Sequence, residues 1–235
     1  MKLKLIDKKN EAKDTMSFVW EPEDDVNYLP GQYFYFTLPK LSKPDNKGAT
    51  RHLTISSSPT EGPYIMCTTR IRDESGYKQT LKDLETGTEI EGSGPEGTFV
   101  LDENEKGPHV LLAGGVGATP FRTFLKYALD KETNQDFYIL TSNSKKNEEI
   151  YASEFEKWSE HKNISYFHTF SQERVEDAFE GRVELDMIKN CVPKKVLASA
   201  AFWVSGPPTY VNAVRKILVD SPFSKNIRVE SFDGY

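Results

Sequence analysis

Short runs of hydrophobic and polar residues, separated by proline and glycine, fill the first hundred positions. The runs are KLKLIDKK, TMSFVWEP, YLPGQYFYFTLP, RHLTISSSP, PYIMCTTRIR and TEIEGSGPEGTFVL. Many short strands with Gly and Pro between them are typical of an antiparallel barrel or sandwich. One helix is predicted among them, GYKQTLKDLETG, because Leu81 and Leu84 share a face and a glycine follows.

The pattern changes after LDENEKGP, at residues 101–108, and strands then alternate with helices. The predicted strands are HVLLAGG, QDFYILTS, ISYFHTF, AFWVSG and IRVESF, and the predicted helices are TPFRTFLKYALDK, EEIYASEFEKWSEH, VELDMIK and PPTYVNAVRKILV. The strands are continuous apolar runs, as expected when helices cover both faces of a parallel sheet. The sequence therefore predicts two domains, 1–103 and 107–235.

Composition and charge narrow the class of protein. The 235 residues are 37% hydrophobic and 28% charged, which predicts a folded soluble protein. The net charge is −6 and no basic stripe is present, so we expect no nucleic-acid partner. The apolar runs are too short to span a bilayer, and the polar N-terminal residues do not resemble a signal peptide. We expect a cytoplasmic monomer.

Cysteine and histidine give no sign of a metal site. Cys67 and Cys191 stand far apart in no paired motif, which argues against a Cys-ligated cluster in this chain and fits a reducing compartment. The four histidines lack metal-ligand spacing and are expected to be surface or packed residues. They are His52, His109, His161 and His168.

Two glycine-containing turns suggest a nucleotide site. AGGVGATP, residues 113–120, joins a strand to a helix and exposes backbone N–H groups that suit a pyrophosphate. Alone, this turn is as consistent with close helix packing as with a ligand. A second turn, SGPP at 205–208, follows another parallel strand, so both turns face the crevice at the carboxyl ends of the strands. Their coincidence favours the nucleotide site.

In RHLTISSSP, residues 51–59, an arginine precedes a run of hydroxyl side chains. Arg51 followed by Thr54 and three serines suggests an anionic ligand with many acceptors lying across the strand. The alternative is a solvated edge strand.

Seven motifs in order give the chain a resemblance to a known family. They are PGQY at 30–33, RHLT at 51–54, GYKQT at 76–80, GPEGTF at 94–99, GGVGATP at 114–120, SGPP at 205–208 and the tail ESFDGY. The chain resembles the plant-type ferredoxin–NADP reductase superfamily over nearly its whole length. The resemblance implies an antiparallel β-barrel FAD-binding domain followed by an α/β, Rossmann-like nicotinamide-binding domain.

The resemblance assigns roles on the flavin side. Arg51 pairs with the flavin phosphates, Thr54 reaches the N5 edge of the flavin, and the loop before the helix holds the second phosphate. The implied flavin contacts are Arg51, His52, Leu53, Thr54, Cys67, Thr69, Gly76, Lys78, Gln79 and Thr80. The lysine side chain could equally be an ordinary surface group, and Cys67 and Thr69 could be packing residues. FAD is favoured over FMN.

The resemblance also assigns the nicotinamide side. The implied contacts are Gly115, Gly117, Thr119, Pro120, Ser142, Asn143, Tyr151, Ser171, Gln172, Gly206, Pro207 and Phe232. Thr54, Ser205, Glu230 and Phe232 are the implied catalytic positions, with Phe232 covering the flavin face where nicotinamide enters. The role of the Asp233–Tyr235 extension is left open.

The choice between NADH and NADPH depends on the residues after the third parallel strand. The family holds the 2′-phosphate of NADPH with a Ser-Arg pair and a tyrosine, matched here by Ser171, Gln172 and Tyr151. Glutamine lacks the charge, and Glu173 would repel a phosphate, so NADH is favoured. Arg174 and the lysines at 145–146 are the alternative phosphate ligands.

Two positions depart from the family pattern, namely Leu53 in place of a tyrosine and Ser205 in place of a cysteine. The implied function is an NAD(P)H-dependent flavoenzyme that passes electrons to a separate carrier such as ferredoxin or flavodoxin. The alternatives are a free-flavin reductase and a non-catalytic flavoprotein subunit or redox sensor. A dihydroorotate-type electron-transfer subunit is disfavoured because its C-terminal cysteine cluster is absent from the sequence.

Overall fold

The computed structural model describes residues 1–223 and 226–232, and an antiparallel barrel forms its first half. The elements are β1 (Lys2–Ala12), β2 (Thr15–Pro22), β3 (Tyr33–Thr37), β4 (Thr50–Thr54), β5 (Ile65–Arg70), α1 (Gly76–Asp83) and β6 (Glu89–Glu96). The strand order is β4-β3-β6-β1-β2-β5. A bridge between Ile55 and Cys67, with the Ser56 N–H donating to the Met66 carbonyl at 2.7 Å, joins the two edges and closes the sheet.

Alternation along β3 decides which side chains fill the barrel. Phe34 and Phe36 are fully buried in its core, whereas Tyr33 and Tyr35 point outward. The antiparallel partner strand β4 follows the same rule, since Leu53 pairs with Phe34 and is buried while His52 pairs with Tyr35 and is exposed. This period of two is what places one face of a strand in the core.

The second half is an α/β domain. Its strands are β7 (His109–Gly114), β8 (Phe137–Asn143), β9 (Ile164–Phe170), β10 (Phe179–Glu180), β11 (Ala201–Gly206) and β12 (Ile227–Ser231). Its helices are α2 (Thr119–Asp130), α3 (Ala152–Trp158), α4 (Leu185–Cys191), α5 (Lys194–Leu197) and α6 (Pro208–Val219). All strand pairs are parallel, in the order β10-β9-β8-β7-β11-β12. The strand order reverses between β7 and β11, and ligands bind at such a point.

Apolar clusters cover both faces of the parallel sheet. Phe121 and Phe124 of α2 pack on one face, and Val211 and Val214 of α6 pack on the other. Phe99, from the segment that leaves the barrel, stacks on Phe124 with ring centroids 6.0 Å apart and so belongs to the core of the second domain.

A buried arginine links the domains. Arg122 of α2 donates to both carboxylate oxygens of Glu61 on the barrel, at 2.9 and 3.0 Å, and to both of Glu154 on α3, at 2.8 Å each. It also donates to the Ser56 carbonyl at 2.8 Å. We call Arg122, Glu61 and Glu154 the interdomain clamp.

The two-domain architecture predicted from the sequence is confirmed, with local differences. The sequence did not predict the short elements β10 and α5. Helix α3, expected from residue 148, begins at Ala152 because Tyr151 takes a left-handed backbone conformation with φ of 60°. The last barrel strand ends at Glu96, before Gly97 with φ of 106°. The domain boundary at 103–107 stays a prediction.

Among the residues that the structure describes, no helix has both the length and the apolar character needed to cross a membrane. Over the same residues, no group of three or more His, Cys, Asp or Glu side chains is arranged to hold a metal ion.

Candidate functional site

A cavity of about 500 Å³ opens where the barrel meets the second domain. Strands β4 and β5 contribute His52, Leu53, Thr54 and Thr69 to its wall. Thr119 at the start of α2 and Glu230 and Phe232 at the end of β12 close it from the other side, together with Tyr33, Thr68 and Phe99. We call this space the barrel cavity. It brings together seven of the predicted site residues.

Glu230 and Thr54 are in contact at the wall of the barrel cavity. The Thr54 side chain hydrogen-bonds the Glu230 carboxyl, and burial raises the pKa of Glu230 to about 8. The Oε2 atom of Glu230 is buried and has no hydrogen-bond partner among the described residues. A neutral carboxyl with an unused oxygen is suited to bind a polar ligand group, because an unpaired buried oxygen is costly unless a ligand completes it.

A second space of about 780 Å³ follows the carboxyl ends of the parallel strands. Gly115 after β7, Ser142 and Asn143 of β8, Ser171 and Gln172 after β9 and Pro207 after β11 all line it. We call it the sheet-edge cleft. The predicted nicotinamide residues on four separate strands therefore converge, as the parallel topology requires.

Gly114 and Gly117 of the first turn allow the backbone to lie directly against the Tyr210 ring and against β11. A Cβ at Gly117 would lie 2.1 Å from the Ser205 carbonyl oxygen, so only glycine fits between the turn and β11. A Cβ at Gly114 would lie 2.6 Å from the ring of Tyr210. The Ser205 and Tyr210 hydroxyls are buried with no hydrogen-bond partner in residues 1–223 and 226–232, and Tyr210 lines the sheet-edge cleft, where a ligand could bond its hydroxyl.

Phe232 connects the two spaces. It lines both the barrel cavity and the sheet-edge cleft, and Val116 does the same. The Phe232 N–H donates to the Gly206 carbonyl at 3.0 Å, which fixes the backbone beside the second turn. A ring in the barrel cavity and a ring in the cleft would meet at Phe232. The extension Asp233–Tyr235 lies outside the described residues.

The predicted phosphate residues form a separate corner beside α1. Arg51 and Lys78 are buried there, and the Lys78 ammonium donates to the Thr69 hydroxyl at 2.8 Å. Because Thr69 lines the barrel cavity, this corner adjoins it. Gly76 begins the helix, the Gln79 side chain donates to the Arg72 carbonyl at 3.1 Å, and the Thr80 hydroxyl accepts the Ser42 N–H at 2.8 Å.

Some predicted contacts are not brought to either space. Cys67 is fully buried in the barrel core, where burial raises the pKa of its thiol to about 12. Tyr151, expected at a 2′-phosphate, lies between the domains, where its hydroxyl donates to the Thr68 hydroxyl at 2.5 Å. Apart from the residues of the corner beside α1, the other such residues are Gly117, Pro120, Ser205 and Gly206, which belong to the two glycine-containing turns.

Several residues at these sites were not singled out from the sequence. The cleft is lined by Arg70, Arg72 and Arg182, and the barrel cavity by Tyr33. Tyr33 closes the PGQY motif, Arg70 ends strand β5 and Arg72 follows it, so these three residues lie in segments that the sequence analysis had already marked. Nothing in the local sequence pointed to Arg182.

The residues that bear on nucleotide choice lie at the rim of the cleft. Gln172 lines both the cleft and a shallow hollow formed with Lys145, Lys146 and Glu173. The Glu173 carboxylate accepts the Lys146 N–H at 2.8 Å, which holds a negative charge at this rim. Arg174 instead pairs with Glu180 at 2.9 Å on an exposed surface.

Comparison with known proteins identifies each half of the chain. Residues 2–101 match the family described as Oxidoreductase FAD-binding domain, and residues 111–216 match the one described as Oxidoreductase NAD-binding domain. Flavohemoprotein A of Dictyostelium discoideum is 23% identical over 244 residues, covering 97% of this chain and 59% of that protein. The chain thus spans a little over half the length of such curated relatives.

Two solved structures share the fold. The flavohem-like FAD/NAD binding domain of nitric oxide dioxygenase from Vibrio cholerae O1 biovar El Tor superposes with a TM-score of 0.85 at 22% identity, over 98% of both chains. A ferredoxin NADP+ reductase from Neisseria gonorrhoeae with bound FAD and NADP gives 0.79 at 16% identity, also over 98% of both.

Proposed function

We propose that this chain is a reductase that transfers hydride from NADH to FAD and electrons on to a separate carrier protein. Its two halves match an FAD-binding and an NAD-binding oxidoreductase domain, and it shares its fold with a ferredoxin NADP+ reductase. The observation that carries the proposal is the junction of two ligand-sized spaces at Phe232. One space suits a flavin ring and the other suits a dinucleotide.

The residues of this chain fit both cofactors. Two buried polar atoms without partners among the described residues belong to residues that line these spaces: Glu230 Oε2 at the barrel cavity and the Tyr210 hydroxyl at the sheet-edge cleft. When bound, the flavin supplies the redox chemistry, accepting a hydride and releasing electrons singly or in pairs. Phe232 excludes water from the meeting point and must move aside for nicotinamide, which makes it a gate.

Thr54 and Glu230 position the bound cofactors and polarise them. Their hydrogen bond lies at the barrel-cavity wall, and the raised pKa of Glu230, caused by burial, keeps its carboxyl protonated at pH 7. A protonated carboxyl donates a hydrogen bond without adding negative charge beside an incoming hydride. The proposed roles of Thr54, Glu230 and Phe232 are supported by their place at the barrel cavity and by the family resemblance, and that of Ser205 by the resemblance alone.

NADH is favoured over NADPH by the fixed charge of Glu173. Its carboxylate accepts from the Lys146 amide beside Gln172, so a 2′-phosphate at this rim would meet a like charge. The test is the ratio of kcat/KM for NADH to that for NADPH. We expect Glu173→Gln to lower the ratio by about tenfold, corresponding to about 1.4 kcal/mol. An unchanged ratio would place the 2′-phosphate elsewhere, near Arg182.

The carrier is either a ferredoxin or flavodoxin, as the resemblance implies, or a haem protein. The flavohemoprotein names of the relatives favour the haem carrier. A panel of oxidised ferredoxin, flavodoxin and ferric haem protein, each offered to the FAD-loaded chain with NADH, separates these carriers by the rate of their reduction. We expect one of them to be reduced. Reduction of added free flavin alone would instead support the free-flavin reductase.

The variant Phe232→Ala tests the gate within the same assay. We expect faster reaction of the bound flavin with oxygen and a changed KM for NADH, because the shield between the two spaces is gone. Wild-type rates in this variant would show that the ring does not cover the flavin. A cytoplasmic monomer completes the proposal, and size-exclusion chromatography checks the monomeric state.

A further inference from the structure

A buried cationic corner lies beside the barrel cavity. It consists of Arg51, Lys78 and the start of α1 at residues 75–77, and we call it the basic corner. Arg51 is 7% exposed and Lys78 only 2% exposed. Burial, and then the charges of Arg72 and Arg51, lower the pKa of Lys78 to about 7. A buried arginine, a buried lysine whose protonated form an anion would stabilise, and a helix start form a site for an anion.

The anion that fills this corner is a carboxylate of the chain itself. Asp45 accepts from the Arg51 guanidinium at 2.5 Å, from the Ser75 hydroxyl at 2.8 Å and from the Tyr77 N–H at 3.0 Å. Its side chain is 7% exposed. Burial pushes its pKa upward, but the amides of Tyr77 and Lys47, the Ser75 hydroxyl and the Arg51 charge together hold that pKa well below its usual range.

The loop that carries Asp45, residues 38–49 between β3 and β4, closes over the helix start. A Cβ on Gly76 would lie 2.3 Å from the Lys43 carbonyl oxygen, so loop backbone rests directly on the helix. The Ser42 N–H donates to the Thr80 hydroxyl at 2.8 Å. The Arg51 guanidinium also donates to the carbonyls of Lys47, Gly48 and Thr50. The arginine is thereby engaged by the loop.

We propose that Asp45 occupies the position where the flavin phosphates bind. FAD then enters only when the 38–49 loop opens and the phosphates of FAD replace this carboxylate. The inference rests on the proposed function, because it takes FAD as the ligand of the barrel cavity. A carboxylate and a phosphate compete for the same donors: the guanidinium, the helix N–H groups and the Ser75 hydroxyl. Riboflavin has the isoalloxazine ring but no phosphate, so it does not use the basic corner. It therefore binds without opening of the 38–49 loop.

The wild-type protein provides the first test, in its flavin-free form. Stopped-flow quenching of flavin fluorescence measures the observed association rate against flavin concentration. We expect the rate with FAD to level off at the rate of loop opening, whereas the rate with riboflavin rises linearly. Linear dependence for both flavins would overturn the proposal.

Variants provide the second test. Asp45→Asn removes the charge with little change of shape, and we expect it to tighten FAD at least tenfold and to speed association, with riboflavin affinity unchanged. Glu74→Gln is the matched control, since this exposed carboxylate lies next to the helix start but outside the corner. Lys78→Met should weaken FAD at least tenfold and leave riboflavin unaffected. Weaker FAD binding by Asp45→Asn would mean that Asp45 orients Arg51 for the phosphates, and would refute the competition. Asp45→Ala repeats the measurement if the asparagine variant is poorly folded.

Inorganic pyrophosphate separates this inference from the proposed function. We expect pyrophosphate to raise the melting temperature of Asp45→Asn and not that of the wild type. If pyrophosphate stabilises only Asp45→Asn and neither protein binds FAD, the competition between Asp45 and phosphate is supported and the flavin function is refuted. Flavin reduced normally by NADH, together with no effect of Asp45→Asn on either FAD or pyrophosphate, would refute the competition alone.

Discussion

Replacing Arg122 by methionine should destabilise the protein strongly, because it leaves two carboxylates facing each other without their cation. Arg122 makes five hydrogen bonds of 2.8–3.0 Å, and its side chain is 7% exposed. Removing one partner of a buried ion pair costs about 3–5 kcal/mol. Glu61 is 12% exposed and Glu154 32%, so Glu154 regains water more easily. We therefore expect a loss of about 3–4 kcal/mol, near the lower end of that range.

The assay is urea unfolding followed by circular dichroism and by tryptophan fluorescence. Trp158 lies 5.9 Å from the Arg122 guanidinium and reports on the clamp. Two domains can unfold in separate steps, so both transitions are fitted. The matched control is Arg174→Met, since Arg174 is 89% exposed and its ion pair with Glu180 is worth at most about 1 kcal/mol.

The triple variant Arg122→Met, Glu61→Gln, Glu154→Gln separates lost charge pairing from lost packing. With the carboxylates neutralised, we expect at least half of the lost stability to return, since the cost of an uncompensated charge is gone. The reasoning would be refuted by a loss below about 1 kcal/mol in Arg122→Met, or by a triple variant no more stable than the single one.

Two further predictions concern the walls of the site. Gly117→Ala should lower the free energy of unfolding by about 3 kcal/mol or more, because the added methyl group would lie 2.1 Å from the Ser205 carbonyl oxygen. Gly115→Ala should lower it by only about 1–2 kcal/mol, since Gly115 has φ of 53° but open space around it. Equal shifts of the urea midpoint in the two variants would contradict this. In the flavin-free protein, burial raises the pKa of the Glu230 carboxyl to about 8, whereas in the unfolded chain this carboxyl ionises near pH 4.5. Between these two pH values the folded protein therefore holds a proton that the unfolded chain has lost. The contribution of Glu230 to stability is fully present below pH 4.5 and is lost as the pH rises to 8. Glu230→Gln should therefore gain stability relative to wild type as the pH rises from 5 to 8, and a constant difference in unfolding free energy would show that the carboxyl is ionised throughout.

The architecture could be predicted because its determinants are local. Alternation in YFYFT fixes which aromatic side chains fill the barrel, and continuous apolar runs such as HVLLAG identify the buried parallel strands. The sheet-edge cleft followed from the glycine turns, since parallel strands bring their carboxyl ends to one edge. The order of the motifs predicted both halves of the site, and this assignment stays a prediction.

The contacts that the sequence did not reveal are long-range or depend on one backbone angle. Arg51 was predicted to bind phosphate, yet the structure pairs it with Asp45, and no local pattern marks that aspartate as its partner. The interdomain clamp joins Glu61 to Arg122 across 61 positions. Tyr151, predicted at a 2′-phosphate, has a left-handed backbone and hydrogen-bonds Thr68 between the domains, and no local sequence pattern indicated either feature.

In the proposed function, hydride passes from a nicotinamide in the cleft to a flavin in the barrel cavity. The most direct measurement loads the purified chain with FAD, removes oxygen, and adds NADH and NADPH separately while the visible flavin absorption is recorded. The account predicts one bound FAD per chain, whose absorption is bleached by NADH more rapidly than by NADPH. A chain that takes up no FAD, or a bound flavin that neither nucleotide bleaches, would contradict it.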